Sequence, residues 1–268
     1  MQIASLPADT GRRWALEGFR LLRRFPVPLL ALTFLYLLVL MATTLIPVVG
    51  PLAPMVLTPV LAIGYMHAVR SADQGKLPTP QMLFAGFRDA GGRAWRPLLV
   101  LGVINAISTL MALAVASLAD AGTLLDIATG QPPPEDPGVG EGSLVMASLL
   151  FMVVYTPVQA ALWYSPMFVA WHGISPPKAM FFSVVTVLRN KAAFAVFLVT
   201  WFVVALLASL AVQALKLLFG SAPLLISLVL SPLSLVVLSA LYCSFWPTYR
   251  DTVLPGTPET RGVTPAEP

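Results

Sequence analysis

The sequence predicts an all-α, polytopic transmembrane helical bundle of about six spans, arranged as three hairpins that each follow a basic interfacial amphipathic helix. Composition is the first ground. Of 268 residues, 57% are hydrophobic and 10% charged, where soluble domains carry about 25% charged residues. The second ground is length: six apolar runs each reach the roughly 20 residues that a helix needs to cross about 30 Å of hydrocarbon. The third is the placing of cations in three short blocks, each ahead of two apolar runs. The blocks are Arg12, Arg13, Arg20, Arg23 and Arg24; then Arg70, Lys76, Arg88, Arg93 and Arg96; then Lys178, Arg189 and Lys191.

Taken in order, the first block sits on a helical pattern in which Ala15, Phe19, Leu22 and Phe25 recur beside the arginines, as in a helix lying in the membrane interface. This basic, Trp-containing lead is unlike a cleaved signal, so the N-terminus is read as retained. Spans follow at 26–46 and 48–69, joined by the uncharged 47–51 region as a tight hairpin. Thr79 then Pro80 supply a cap and a first-turn proline for a second basic helix running through Met82, Leu83, Phe84 and Phe87 to Arg88. The third span covers 97–118, and 119–142 reads as a flexible periplasmic loop, with a Pro- and Gly-rich stretch at its end. The fourth span, 143–172, is too long for a straight perpendicular crossing and carries Pro157 and Pro166, which predicts tilt, a kink, or a first turn outside the hydrocarbon. Ser175 and Pro176 open the third basic helix, towards Arg189 and Lys191; spans at 192–215 and 222–247 complete a single transmembrane domain over 1–250, and 251–268 reads as a disordered cytoplasmic tail.

Orientation follows from the cations, because cytoplasmic loops near span ends hold Lys and Arg. All three blocks, and Arg250 and Arg261, fall on one side, while Asp120, Asp126, Glu135, Asp136 and Glu141 fall on the other with no cation among them. Lys216 alone breaks the pattern, at a span end from which it can snorkel. The expectation is six spans with both termini cytoplasmic. Trp14, Trp95, Trp171, Trp246 and Tyr249 fall near the cytoplasmic boundaries, as interfacial aromatics do.

The same unit occurs three times: a basic helix, a span, and a second span with a hydroxyl-proline step, at Thr58-Pro59, Thr156-Pro157 and Ser231-Pro232. The repetition is of pattern more than identity. It either arranges hairpins about a pseudo-three-fold axis or records duplication alone.

Trp14, Gly18-Phe19-Arg20, the Arg70 to Gly75 stretch RSADQG and the Leu83 to Arg88 run LFAGFR, with the order of spans over nearly the whole chain, resemble a family of six-span inner-membrane proteins. That family is known chiefly from beta-proteobacteria and named after a Burkholderia reading frame. The resemblance implies residence in a bacterial inner membrane and supplies no catalytic residue. More distantly the architecture is similar to the membrane domain of some glycerophosphodiester phosphodiesterases, without their catalytic barrel, so no activity is carried over.

Chemistry-bearing residues are few. Cys243 is the sole cysteine, which excludes an internal disulfide and a multi-thiolate metal site. His67 and His172 are the two histidines, and interfacial histidines at helix ends outweigh a two-histidine metal site. No nucleophile elbow, zinc-binding helix pair or phosphate loop occurs. No catalytic residue and no cofactor are expected. Within the spans, Asn105, Gln159 and Gln213 either bond between helices or line a polar pocket for a solute or headgroup. Arg20, Arg23, Arg24, Arg88, Arg93, Arg96, Arg189 and Lys191 are the candidate contacts for anionic lipid. The expected partners are membrane lipids, anionic ones above all, and unspecified proteins; nucleic acid and metal are not expected. The leading function is a non-enzymatic protein that organises lipid or partners in the membrane, and the alternative is a transporter or channel subunit.

Overall fold

The computed structural model describes residues 3–47, 49–129, 141–219 and 223–253. Among these residues the chain forms eleven α-helices and one 3-10 helix, without strands. In order these are α1 Thr10–Arg24, α2 Pro26–Thr44, α3 Ala53–Asp73, the 3-10 helix Pro80–Phe87, α4 Asp89–Gly92, α5 Trp95–Asp120 and α6 Thr123–Thr129. They continue with α7 Glu141–Leu162, α8 Ser165–His172, α9 Pro176–Arg189, α10 Lys191–Phe219 and α11 Pro223–Val253. Four stretches, Pro26–Thr44, Trp95–Asp120, Gly142–His172 and Lys191–Leu217, are long and apolar enough to cross a membrane.

The bend expected in the fourth span is present, and the short elements differ from expectation. The 143–172 run is two helices, with a bend at Trp163 and Tyr164. Pro166 has no N–H for the Leu162 carbonyl and its ring would crowd that group, which favours a break there. The polar groups exposed by the break are used: Ser183 Oγ donates to Ala160 O at 2.7 Å and accepts from Tyr164 N–H at 3.0 Å. Part of the 119–142 loop is helical. Asp120, fully buried, ends α5 and turns its carboxylate onto the start of α6, accepting from Gly122 N–H at 3.0 Å and Leu124 N–H at 2.7 Å, which satisfies N–H groups that a helix start leaves unpaired. The expected loop at 130–140 and most of the tail, 254–268, lie outside the described residues. The second basic helix is a 3-10 helix, more tightly wound than an α-helix at about 3.0 residues per turn, and it leads into the short α4.

The chain divides into two compact units, one of residues 1–34, 68–80 and 186–268, the other of 35–67 and 81–185. In the first, α1 packs on α10 and α11. Its buried face is Trp14, Ala15, Gly18, Leu21 and Leu22, so the apolar stripe that the sequence assigns to the membrane interface lies on protein. The approach is close, since a Cβ at Gly18 would overlap the Ala240 carbonyl oxygen on α11. Ser239 donates to Thr33 at 2.7 Å, joining α11 to the first part of α2.

In the second unit α5 packs along α7, and α8 reaches both α4 and α5. Ile63, Tyr65, Leu83, Leu98, Tyr164 and Phe168 are its large buried side chains. Here the 3-10 helix docks on α3, with Gly86 against the Val60 carbonyl. Gly86-Phe87-Arg88 thus repeats the device of Gly18-Phe19-Arg20: glycine inward on a neighbouring helix backbone, arginine outward in solvent. Ser183 of α9 takes the corresponding inward place against α7.

Candidate functional site

The first unit contains a cluster of opposite charges that the sequence reading does not assemble. Arg250 lies beyond the last predicted span, near the end of α11, and its guanidinium forks onto Glu17 of α1 through Nη1 to Oε1 at 2.8 Å and Nη2 to Oε2 at 3.1 Å. Nη1 also reaches Asp73 Oδ2 at 3.2 Å and Nε reaches Asp251 Oδ1 at 2.9 Å. Two tryptophans complete the network, Trp14 donating to Asp251 at 3.0 Å and Trp246 donating to Asp73 at 2.8 Å. Trp14 and Trp246 are therefore buried donors to carboxylates, and Tyr249 is also fully buried. Three carboxylates on one guanidinium leave net negative charge; Arg70 lies close by, 5.8 Å from the centroid of the Trp246 ring. Burial works to lower the Arg250 pKa, but the bond to Glu17 and the charge of Asp251 outweigh it and hold the group charged. Planar, bidentate geometry of this kind fits Arg and not Lys.

The cluster ties together α1, the end of α3 and the end of α11. Arg24 adds a further tie, donating to the Asp73 carbonyl at 3.0 Å at the C-terminus of α3, where a cation suits the helix end. Arg24 is thus partly committed to protein. Arg20 and Arg23 are exposed on the outer face of α1, and Arg189 and Lys191 are exposed at the junction of α9 and α10. In the second unit Arg88, Arg93 and Arg96 are exposed, with Arg96 lying 5.3 Å from the centroid of the Trp95 ring.

The second unit also holds a pair around His67. Its Nε2 is 2.7 Å from Asp89 Oδ2 and 3.1 Å from Trp171 Nε1. An indole N–H only donates, so one nitrogen cannot accept from Trp171 and donate to Asp89 together. We assign the bond to the shorter, carboxylate contact, with Trp171 packed edge-on to the imidazole at 5.4 Å. The histidine is thereby used in joining α3 to α4.

Of the three amides expected to share a pocket, two meet. Gln159 Nε2 donates to Asn105 Oδ1 at 3.0 Å, and Asn105 Nδ2 reaches Met55 O at 3.4 Å. Both side chains are half-buried. Asn105 stands ten residues into α5, about 15 Å along its axis. Thr109, one turn further on α5, donates to the Asn105 carbonyl at 2.9 Å. Gln213 belongs to the other unit and is exposed.

The acidic members of these clusters left one signal in the sequence. Glu17, Asp73 and Asp89 are acids set among the basic blocks and Asp251 follows Arg250, and an acid beside cations has a ready ion-pair partner. Which cation it takes depends on tertiary packing, which periodicity does not show.

No protein-family model matches the chain, and no solved structure does. A probable inner membrane protein of Burkholderia thailandensis is 38% identical over 257 residues, which is 93% of each chain. With its apolar helices and this relative, the chain is an integral inner-membrane protein and belongs to the family of that Burkholderia protein.

Proposed function

We propose that the protein is a non-enzymatic, multi-pass component of the bacterial inner membrane, with both termini cytoplasmic, that gathers anionic lipid against its cytoplasmic basic elements. The observation that carries this reading is the two-sidedness of α1. Its glycine and tryptophan face is buried on α10 and α11, while Arg12, Arg13, Arg20 and Arg23 stand in solvent on the opposite face. A cation row held rigidly by protein meets anionic headgroups without the cost of ordering a loose helix. Each Lys or Arg near the surface contributes about 1 kcal/mol of attraction.

Transport is the rival reading, and it draws on Asn105 and Gln159. These amides bond to each other and to the Met55 carbonyl, which supports a packing role between α5 and α7 over a solute pathway.

The test uses the full-length protein in nanodiscs of phosphatidylglycerol or of phosphatidylcholine. The wild type is expected to melt higher in the anionic lipid, and the difference should shrink as salt is raised. Replacing Arg20 and Arg23 with Gln removes two exposed cations, so the preference should fall by about 2 kcal/mol, or roughly thirtyfold in relative affinity. Equal melting of both proteins in both lipids would refute the proposal.

A further inference from the structure

We propose that the groove between α10 and α11 holds one acyl chain of a membrane phospholipid whose phosphate is met by Lys216. The lining explains the groove. On α10, Ala205, Ala208 and Val212 recur three and four residues apart and share a face; on α11, Ser234, Leu238 and Leu241 do the same. Ala205 and Ala208 on α10 and Ser231 and Ser234 on α11 are short and leave space between the helices, and a cavity of about 670 Å³ remains, within the roughly 300–1,000 Å³ of sites that take small ligands. The wall offers little unmet polarity, since the Ser234 hydroxyl already donates to the Ser231 carbonyl at 2.9 Å. An empty apolar groove loses dispersion contacts along its whole lining. Around a membrane helix, the filler at hand is hydrocarbon.

The charge at one end says which hydrocarbon. Lys216 follows Val212 by four residues and so continues the lined face of α10. It is exposed, and it forms no ion pair or side-chain hydrogen bond among the described residues. Lys191 and Lys216 bracket the Lys191–Leu217 stretch, and their separation of about 38 Å along the axis exceeds the roughly 30 Å of hydrocarbon. With Lys191 at one headgroup layer, Lys216 reaches the other, and the lining of the groove begins one turn inward from Lys216, at Val212. At the far end of the same face stands Trp201, buried and stacked on Phe19 at 5.5 Å. An apolar groove with Trp201 one turn before its lining on α10 and the cation of Lys216 one turn after it matches a lipid with an apolar tail and a negative phosphate. This site requires only that α10 crosses the bilayer; it is separate from the cation row of α1, and either proposal can fail while the other stands.

The full-length protein, exchanged into nanodiscs with equal phosphatidylglycerol and phosphatidylcholine, is released and weighed by native mass spectrometry. The wild type should retain one phospholipid, enriched in phosphatidylglycerol about fivefold. Ala208→Phe fills the groove and should remove that adduct, whereas Leu206→Phe, at a residue outside the lining, should keep it. Lys216→Gln should keep an adduct but bring the two lipids to parity. An Ala208→Phe protein that retains the lipid as well as Leu206→Phe does overturns the proposal. So does a wild-type dimer that Ala208→Phe converts to monomer, because a second copy then occupies the groove. Should Ala208→Phe not fold, phosphatidylglycerol brominated along its chains provides the second measurement in unaltered protein. The emission component lost in Trp201→Phe should be quenched, and its survival overturns the assignment.

Discussion

At the scale of the residue, Arg250 makes the strongest demand on its surroundings. Its side chain is 30% exposed and that of Glu17 20%, so the pair lies between the nearly neutral ion pairs of open surfaces and the fully buried pairs whose disruption is costly. The fork geometry and the two additional carboxylates place it nearer the second. Arg250→Met leaves three carboxylates gathered without their shared cation and should destabilise the protein by about 3 kcal/mol, read as a lowered midpoint of thermal unfolding in detergent. Arg250→Lys keeps the charge but cannot make the planar fork, and it should recover less than half of the loss. Glu17→Gln should cost less than Arg250→Met, because an amide oxygen still accepts from Nη1 while the net negative charge falls. A ranking in which Glu17→Gln is the worse variant would contradict the electrostatic account. None of these partners is close to Arg250 in sequence except Asp251, which is why local spacing shows the acids and cations but not their pairing.

At the scale of the element, what the sequence revealed best was the extent of the apolar helices. The 97–118 run is α5 within a few residues at each end, and 192–215 is the interior of α10, because a long apolar run has one inexpensive way to satisfy its backbone in hydrocarbon. The short elements were less legible. A proline reads as a kink or as a break according to whether a neighbour meets the freed groups: Pro157 stays inside α7, while at Pro166 the helix ends and Ser183 from α9 binds both sides of the gap. Ser183→Ala removes one donor and one acceptor bond from buried backbone and should cost about 2 kcal/mol, with faster hydrogen exchange at the Tyr164 amide and no change in helix content by circular dichroism. The α1 helix was legible as amphipathic, but its apolar face fits a protein groove as readily as lipid; only the close approach of Gly18 to α11 distinguishes the two. Gly18→Val forces a side chain into the Ala240 carbonyl and should displace α1, exposing the Arg12-Arg13 bond to trypsin in a protein that otherwise remains folded.

At the scale of the whole molecule, sidedness rests on charge and length together. Four stretches meet the requirements for crossing by composition alone. α3 is 21 residues long but ends in Arg70 and Asp73, and α11 is 31 residues long with Arg250 and Asp251 near its end. In both helices the charges sit in the last turns, so the remaining lengths, 17 residues or more before the first charge, still cover most of a bilayer at 1.5 Å per residue. If α2 and α3 form a crossing hairpin, Val49 between them faces the periplasm; if they dip and return, it faces another way. Cysteines placed one at a time at Val49, Leu77, Gly130 and Ser175, in a Cys243→Ser background that removes the buried native thiol, separate these cases. A membrane-impermeant maleimide applied to intact spheroplasts should label positions 49 and 130, while 77 and 175 should react only after the membrane is opened. Labelling of 130 but not 49 would make α2 and α3 a re-entrant pair and reduce the count of spans to four, still with an even number of crossings and cytoplasmic termini. Labelling of 77 from outside would reverse the orientation, and with it the leaflet on which the cation row of α1 acts, since positive loops are retained on the cytoplasmic side by the same field that the row would read.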